Sequence, residues 1–403
     1  MRGLAGPALP APSGPYAVGR LSLDLVDSAR VDGTSPTQRR QLMVYVWYPA
    51  AATGGRAEAP YVPGFARLQQ VIGDSAMHGE FRAAFDRVAS GQVSSGAFSG
   101  APPAKSTERF PILLFSHGFG ESSLTYAAIL GDLASHGYVI VAIEHPHDAY
   151  AVLHSDGHVT PFAQAAWDAA VARPRGAVTY QVAQVTRRAE DIRFVLQRLE
   201  RDTSIAVRAI LQVANPNRVG AFGHSLGGMA AAEACRTDAR FIACMNIDAD
   251  IRGVPWIEAS RGAPRQTFAF LATPHSLYMT PRTRAPSAAT LAQEGLTATQ
   301  HDSLMHALQR SQDDALASVG SGAYRVDFEG SGFDHRSFLD LPLLGAASES
   351  AARQHAANLG LARRYILAFF EATLRRRSTT RLEASATDSA GVRVERWPPH
   401  SPR

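Results

Sequence analysis

Arg218-Val-Gly-Ala-Phe-Gly-His-Ser-Leu-Gly-Gly-Met229 is an apolar run that breaks into Gly223-His224-Ser225-Leu226-Gly227 and continues into the alanine-rich MAAAEAC ending at Cys235. A G-x-S-x-G sequence arises often enough by chance that its setting has to decide its meaning. Here Val219 to Phe222 read as a strand and the alanine-rich segment reads as a helix, the strand–turn–helix context in which such a serine is a nucleophile. So tight a turn forces a strained backbone on the serine and calls for glycine beside it. Ser225 is therefore the expected nucleophile. Its hydroxyl would meet a histidine on one side and, on the other, backbone N–H groups at the helix start that stabilise an oxyanion.

Upstream of this elbow, Pro111 to Ser116 (PILLFS) reads as a buried central strand ending in Ser116-His117-Gly118-Phe119-Gly120. A helix-like stretch from Ser123 to His136 and a second buried strand from Tyr138 to Ile143 complete a right-handed βαβ unit. Sites on such sheets lie at the carboxyl ends of the strands, which makes the N–H of Phe119 the expected first oxyanion donor and that of Leu226 the second. A plain βα turn is the alternative reading of His117-Gly-Phe-Gly120. Tyr16 to Val26 and Arg40 to Pro49 alternate apolar and polar residues, as expected of an opening antiparallel hairpin.

Downstream, Phe241 to Ile247 is a strand that ends at Asp248, where the acid that orients a catalytic histidine is expected; Asp250 is its competitor. Gln266 to Ala272 is the next strand, then a polar insertion through residue 320 that reads as a lid. The last strand, Ala323 to Phe328, leads into a glycine-rich loop carrying His335. His301, His306 and His355 fall in helix-like stretches. The order Ser225, Asp248, His335 is that of the α/β-hydrolase fold: a mostly parallel central sheet of about eight strands, flanked by helices and carrying lid-like insertions. In that scheme His335 takes the Ser225 proton and Asp248 holds the imidazole.

Composition sets the frame. At 403 residues, 45% hydrophobic and 19% charged, the chain suits one large α/β domain. That domain is expected over residues 16–375, with insertions at about 50–107, 145–179 and 274–320, a flexible segment at 1–15 and a disordered tail at 376–403. The net charge of +4 is mild, and its arginines are scattered, Lys105 being the one lysine. No nucleic-acid partner and no obligate protein partner is implied, and transient contact with an anionic membrane surface is left open. No apolar run reaches the roughly 18 residues that cross a bilayer. The N-terminus lacks the apolar core of a secretory signal, so the cytoplasm is the default expectation, with secretion if the chain is truncated. Cys235 and Cys244 are expected to be buried free thiols, a disulfide being the alternative. His145, His147, His154 and His158 invite a metal reading but lack ligand spacing, and no cofactor or metal is expected.

PILLFSHGFGESSLTYAAILGDLASHGYVIVAIEH, VGAFGHSLGGMAAAEA, NIDAD and FDHRSFLD resemble the platelet-activating factor acetylhydrolase family, the calcium-independent phospholipase A2-like branch of the α/β hydrolases. The resemblance runs with gaps from about Tyr16 to Phe370. It implies Ser225, Asp248 and His335 as the triad, and the N–H groups of Phe119 and Leu226 as the oxyanion hole. It also implies esters, phospholipids among them, with short or oxidised acyl groups. His117, Gly118, His224, Trp256 and Phe338 are expected to face the substrate, with Phe333 also crowding the acyl side. A general bacterial carboxylesterase or a cutinase-like polyesterase would use the same triad. A dienelactone-hydrolase-like enzyme would carry cysteine in place of Ser225, and a non-enzymatic binding protein on this fold would lack a triad member.

Overall fold

The computed structural model describes residues 7–33, 37–51, 53–76, 81–173, 176–249, 266–273, 287–288, 291–292, 295–319, 321–330, 332–383 and 387–397. They divide into two units. The first comprises Met1–Phe162, Phe194–Val219 and Arg336–Ala368, the second Ala163–Arg193, Gly220–His335 and Phe369–Arg403.

The first unit opens with β1 (Ala17–Val31) and β2 (Arg39–Ala50), an antiparallel pair with Ala17 opposite Ala50 and a bulge between Asp27 and Val31. Beyond these come β3 (Phe98–Ser99), β4 (Phe110–Ser116) and β5 (Val139–Glu144), in the order β4-β5-β2-β1-β3. β4 and β5 run parallel, Ile112 opposite Val139, and every residue of both is buried, as a strand covered on both faces requires. β2 departs from the half-buried hairpin expected of it. It lies between β1 and β5 and is buried without interruption from Leu42.

Two segments of this unit are better anchored than their sequence indicated. The N-terminal residues expected to be flexible are tied down from Pro10 onward. The Arg363 guanidinium donates to the carbonyls of Pro10 and Ala11 and pairs with Asp132, whose carboxylate also accepts from the N–H and Oγ of Ser13 at 2.8 and 2.9 Å. Gly14 passes so close to the Ser135 carbonyl that an added Cβ would lie 2.2 Å from its oxygen. The 50–107 insertion contains α1 (Phe65–Ala76) and α2 (Arg82–Ala89). Ala84 and Val88 of α2 form a buried cluster with Tyr61, Ala127, Leu341 and Leu344, and Phe65 and Phe85 pack against it. The 145–179 excursion is likewise regular in part: β6 (Ala151–Leu153) and β7 (Val159–Pro161) form a small antiparallel hairpin. The helix after the βα turn is α3 (Ala127–Ser135), entered through a 3-10 turn at Ser123–Tyr126.

After α4 (Gln164–Val171), α5 (Gly176–Arg201) and α6 (Ile205–Val213), β8 (Ala214–His224) carries the chain into the second unit. There it leads to α7 (Leu226–Thr237), β9 (Phe241–Ile247) and β10 (Thr267–Ala272). Next come α8 (Ala298–Ser318), capped by the Thr297/Gln300 box, and β11 (Ala323–Phe328). Outside this unit follow α9 (Leu341–Leu344) and α10 (Glu349–Leu374), the latter running back into it.

The expectation of a disordered tail is corrected by β12 (Val392–Trp397), which pairs antiparallel with β11 and puts Val392 opposite Phe328. Its alternation explains this: Val392 and Val394 are buried, while Arg393 reaches Asp327 at 2.5 Å. The order here is β12-β11-β10-β9-β8, with β9, β10 and β11 parallel to one another and β12 antiparallel to β11. With β3 and β12 the two units carry ten such strands rather than about eight. Cys235 and Cys244 are not free thiols. They form a disulfide from the end of α7 to β9, their Cα atoms 6.4 Å apart, within bridging reach.

The ion pair beneath the N-terminal segment yields a test. Arg363→Ala leaves the buried Asp132 carboxylate without its cation and should cost about 3–5 kcal/mol in urea unfolding, whereas Arg363→Met combined with Asp132→Leu should cost much less.

Candidate active site

Ser225 directly follows β8 and precedes α7 with φ 53° and ψ −128°, a left-handed backbone conformation that side chains with a Cβ rarely adopt. Its neighbours hold it there. The Ser225 N–H donates to the Ile247 carbonyl at 2.8 Å, and the Ser225 carbonyl accepts from Gly228 and Met229 at 2.8 and 3.2 Å. A Cβ on Gly228 would lie 2.6 Å from Asn246 Oδ1 and 2.9 Å from the Gly223 carbonyl, so this position admits only glycine. The G-x-S-x-G pattern does not include Gly228; the doubled glycine of Leu226-Gly-Gly was its signal.

The bond to Ile247 places the elbow against the end of β9, whose next residue is Asp248. That residue also has positive φ, 54°, and its N–H donates to the Leu271 carbonyl of β10 at 2.7 Å. Asp248 Oδ2 lies 2.6 Å from His335 Nδ1. Thr273, at the tip of β10, donates its N–H to Oδ1 at 2.9 Å and its hydroxyl to Oδ2 at 3.0 Å. Sequence reading passed over Thr273, because a lone threonine after a strand carries no pattern. Burial pushes the Asp248 pKa up. The hydrogen bond and charge of His335, with the Thr273 N–H, outweigh it and hold the carboxyl below its ordinary range. It is thus an anion aimed at the imidazole, with His335 itself 46% exposed.

Of the competing residues, Asp250 lies outside the described residues, and His301, His306 and His355 sit on the helices α8 and α10. Among the described residues, His224, Asp248 and His335 are the three whose ligand atoms come within 4.8 Å of one another, as a metal site would need. The carboxylate oxygens of Asp248 are already engaged by His335 and Thr273, which is the geometry of a hydrogen-bonded relay. The four histidines at 145–158 each have separate partners: Ser116 for His145, Asp32 for His147, Thr160 for His154 and Asp156 for His158.

The Leu226 N–H, first in α7, has no acceptor among the described residues and suits an oxyanion donor. The other expected donor lies in the first unit, in a loop locked on both sides of Phe119. Gly118 N–H donates to Tyr126 Oη at 3.1 Å, and Gly120 N–H, at φ 73°, to the Asp148 carbonyl at 2.9 Å. His117 Nε2 accepts from the His145 N–H at 3.2 Å, so Nδ1 carries the proton and donates to the Gly118 carbonyl at 2.7 Å.

Those bonds correct the expected substrate contacts. His117 and Gly118 are buried and fix the loop. Phe338 is fully buried, and Phe333 stacks on Phe328 at 4.3 Å inside the second unit. His224 is buried with its ring 4.5 Å from that of His335, and burial, with the charge of His335, pushes its pKa down to about 3. It serves as a neutral wall behind His335 rather than a substrate contact. Trp256 lies outside the described residues.

Residues 5–257, which include Ser225 and Asp248, match the family model described as platelet-activating factor acetylhydrolase, isoform II. The chain belongs to that family. A protein of Arthroderma benhamiae named "Probable 1-alkyl-2-acetylglycerophosphocholine esterase" is 28% identical over 250 residues, covering 61% of this chain and 59% of the relative. A platelet-activating factor acetylhydrolase of Cavia porcellus is 25% identical over 272 residues, covering 62% and 56%. The chain thus spans little more than half the length of these curated relatives. Over nearly its whole length, 96%, it superimposes on 99% of a ferulic acid esterase from Streptomyces cinnamoneus, with a TM-score of 0.70 and 26% identity. The α/β-hydrolase fold is therefore shown.

The segment after His335 in this family member ends in a second buried acid. Asp340 accepts from Tyr61 Oη at 2.9 Å and from the Ala128 N–H at 3.3 Å, so it caps the start of α3. Burial raises its pKa to about 7, against the lowering pull of Tyr61, the α3 amides and Arg363. A carboxyl raised on folding contributes stability that is complete below about pH 4 and is lost as pH rises through 7. The urea midpoint of the wild type should fall over that window, and that of Asp340→Asn should fall less; parallel slopes would contradict the assignment. If Asp248 and His335 serve a hydrolytic relay, Thr273→Val should lower kcat about 10- to 100-fold with little change in KM, as steady-state kinetics on a simple ester would show.

Proposed function

We propose that this protein is a serine carboxylic ester hydrolase that works through an acyl-enzyme on Ser225. The observation that carries the reading is the 2.6 Å bond from His335 Nδ1 to the buried Asp248 carboxylate, in the same unit as a serine with a strained elbow backbone. With Nδ1–H donated to Asp248, Nε2 is left as the base. It takes the Ser225 proton as Oγ bonds to the acyl carbon, then gives that proton to the departing alcohol. Water attacks the acyl-enzyme by the same relay in reverse. The charge formed on the carbonyl oxygen would be met by the N–H of Leu226, first in α7.

For substrate, family membership and the names of the relatives support an ester with a short acyl group, including a glycerophospholipid carrying an acetyl or oxidised chain. Brief contact with a lipid surface would then deliver it. A second reading, a general carboxylesterase or polyesterase, is favoured by the end-to-end likeness to the ferulic acid esterase.

A fluorophosphonate should label Ser225 and abolish hydrolysis, and Ser225→Ala should lower the rate roughly 10⁴- to 10⁶-fold without unfolding the protein. Labelling at another serine would refute the nucleophile. Across 4-nitrophenyl esters, kcat/KM should peak between acetyl and hexanoyl and be about tenfold lower at dodecanoyl. Short esters turned over without a short-acyl phospholipid would select the second reading.

A further inference from the structure

His224, Asp248 and His335, all in the second unit, bring one ligand atom each to within 4.8 Å of one another. Two imidazole nitrogens and a carboxylate oxygen are a donor set that zinc accepts, with the fourth position left to water. Mg²⁺ and Ca²⁺ prefer oxygen donors in sets of about six or more, so these three residues favour a borderline ion over a hard one.

The surroundings of each donor fit that use. His224 hydrogen-bonds the His335 backbone in the sense that favours a donated N–H, so the acceptor is the carbonyl. That N–H fixes the tautomer and gives the lone pair to the other ring nitrogen, as in most metal-binding histidines. The Asp248 carboxylate offers about four lone-pair positions, of which Thr273 takes two and His335 one. His224 and Asp248 are buried, whereas the half-exposed His335 gives an ion its way in. The two imidazole rings lie 4.5 Å apart with 40° between their planes. A tetrahedral zinc ion with bonds of about 2.0–2.1 Å holds its donor atoms roughly 3.4 Å apart, so the donors need to shift by no more than about 1.5 Å.

We infer that this trio is an inhibitory site for Zn²⁺, in which the ion takes the place of the proton between His335 Nδ1 and Asp248. A neutral imidazole bound to metal through Nδ1 carries its one proton on Nε2. That nitrogen then donates and cannot accept the proton of Ser225, so the ion stops the relay without touching the serine. The effect on activity rests on the hydrolase reading; the binding does not.

Calorimetry on the metal-free protein should show one Zn²⁺ bound tightly per chain, with Mg²⁺ unable to displace it. Losing a partner behind a metal ligand commonly costs about 10- to 100-fold in affinity, so replacing the ligand itself, in His224→Gln, should weaken zinc binding at least about tenfold. His158→Gln, in the β6–β7 hairpin of the first unit, should leave it unchanged. With 4-nitrophenyl acetate as substrate, Zn²⁺ at about ten times its Kd should lower the wild-type rate about tenfold, and a chelator should restore it. At that concentration His224→Gln should keep at least about half of its own zinc-free rate. Zinc that does not bind, or that binds or inhibits the wild type and His224→Gln alike, would overturn the inference. If the zinc-free wild type turns over no ester, the hydrolase reading fails and calorimetry alone decides the site. Calorimetry also decides it if His224→Gln is inactive without zinc: weaker binding supports the site, and equal binding overturns it.

Discussion

A serine held at φ 53° is the constraint on which the second unit is built. Such a backbone persists only where its surroundings over-determine it. Here they do so from three directions: the Ile247 carbonyl takes the serine N–H, the first turn of α7 takes its carbonyl, and Gly228 lets the helix approach β9 closely. The bond to Ile247 also links two roles. The residue that follows Ile247 is the acid, and it too sits in the left-handed region, tied to Leu271. Elbow, acid turn and the tip of β10 therefore form one chain of backbone bonds, with Thr273 at its end holding both carboxylate oxygens. Strand ends thus set the positions of Ser225 and Asp248, while a loop presents His335.

The first unit is held differently, by buried charge. Asp132 with Arg363 anchors the N-terminal segment, and Asp340 with Tyr61 joins the residues after His335 to the start of α3. Each acid also caps or braces α3, the helix that follows the loop carrying Phe119. Strained backbone in one unit and satisfied buried acids in the other are two ways to make a chain rigid where chemistry is expected.

Much of this could be read from residues alone where the signal was local. Fully apolar runs such as PILLFS and FIACMNI became buried strands at nearly the expected bounds, and Ser225 and Asp248 directly follow β8 and β9. What could not be read was long-range. Arg363 lies 231 residues from Asp132 and Tyr61 lies 279 from Asp340, so neither pairing leaves a periodic trace. β12 was hidden because a six-residue strand in an arginine-rich tail has only two inward valines to announce it. Phe333 and Phe338 were placed on the substrate side because they flank His335. Flanking in sequence does not set direction, and both rings turn inward.

The Cys235–Cys244 bond closes a loop of only nine residues, so its effect on the unfolded chain is worth roughly 2.5 kcal/mol. Its larger effect is on partial opening. Joined at that point, the C-terminal end of α7 and β9 cannot separate without each other, and the nucleophile-bearing turn and the acid-bearing strand are confined to one cooperative unit. Both sulfurs are buried, so a reductant in solution meets them only when that unit opens. The rate of thiol release under mild reduction is therefore a clock for the breathing of the elbow itself.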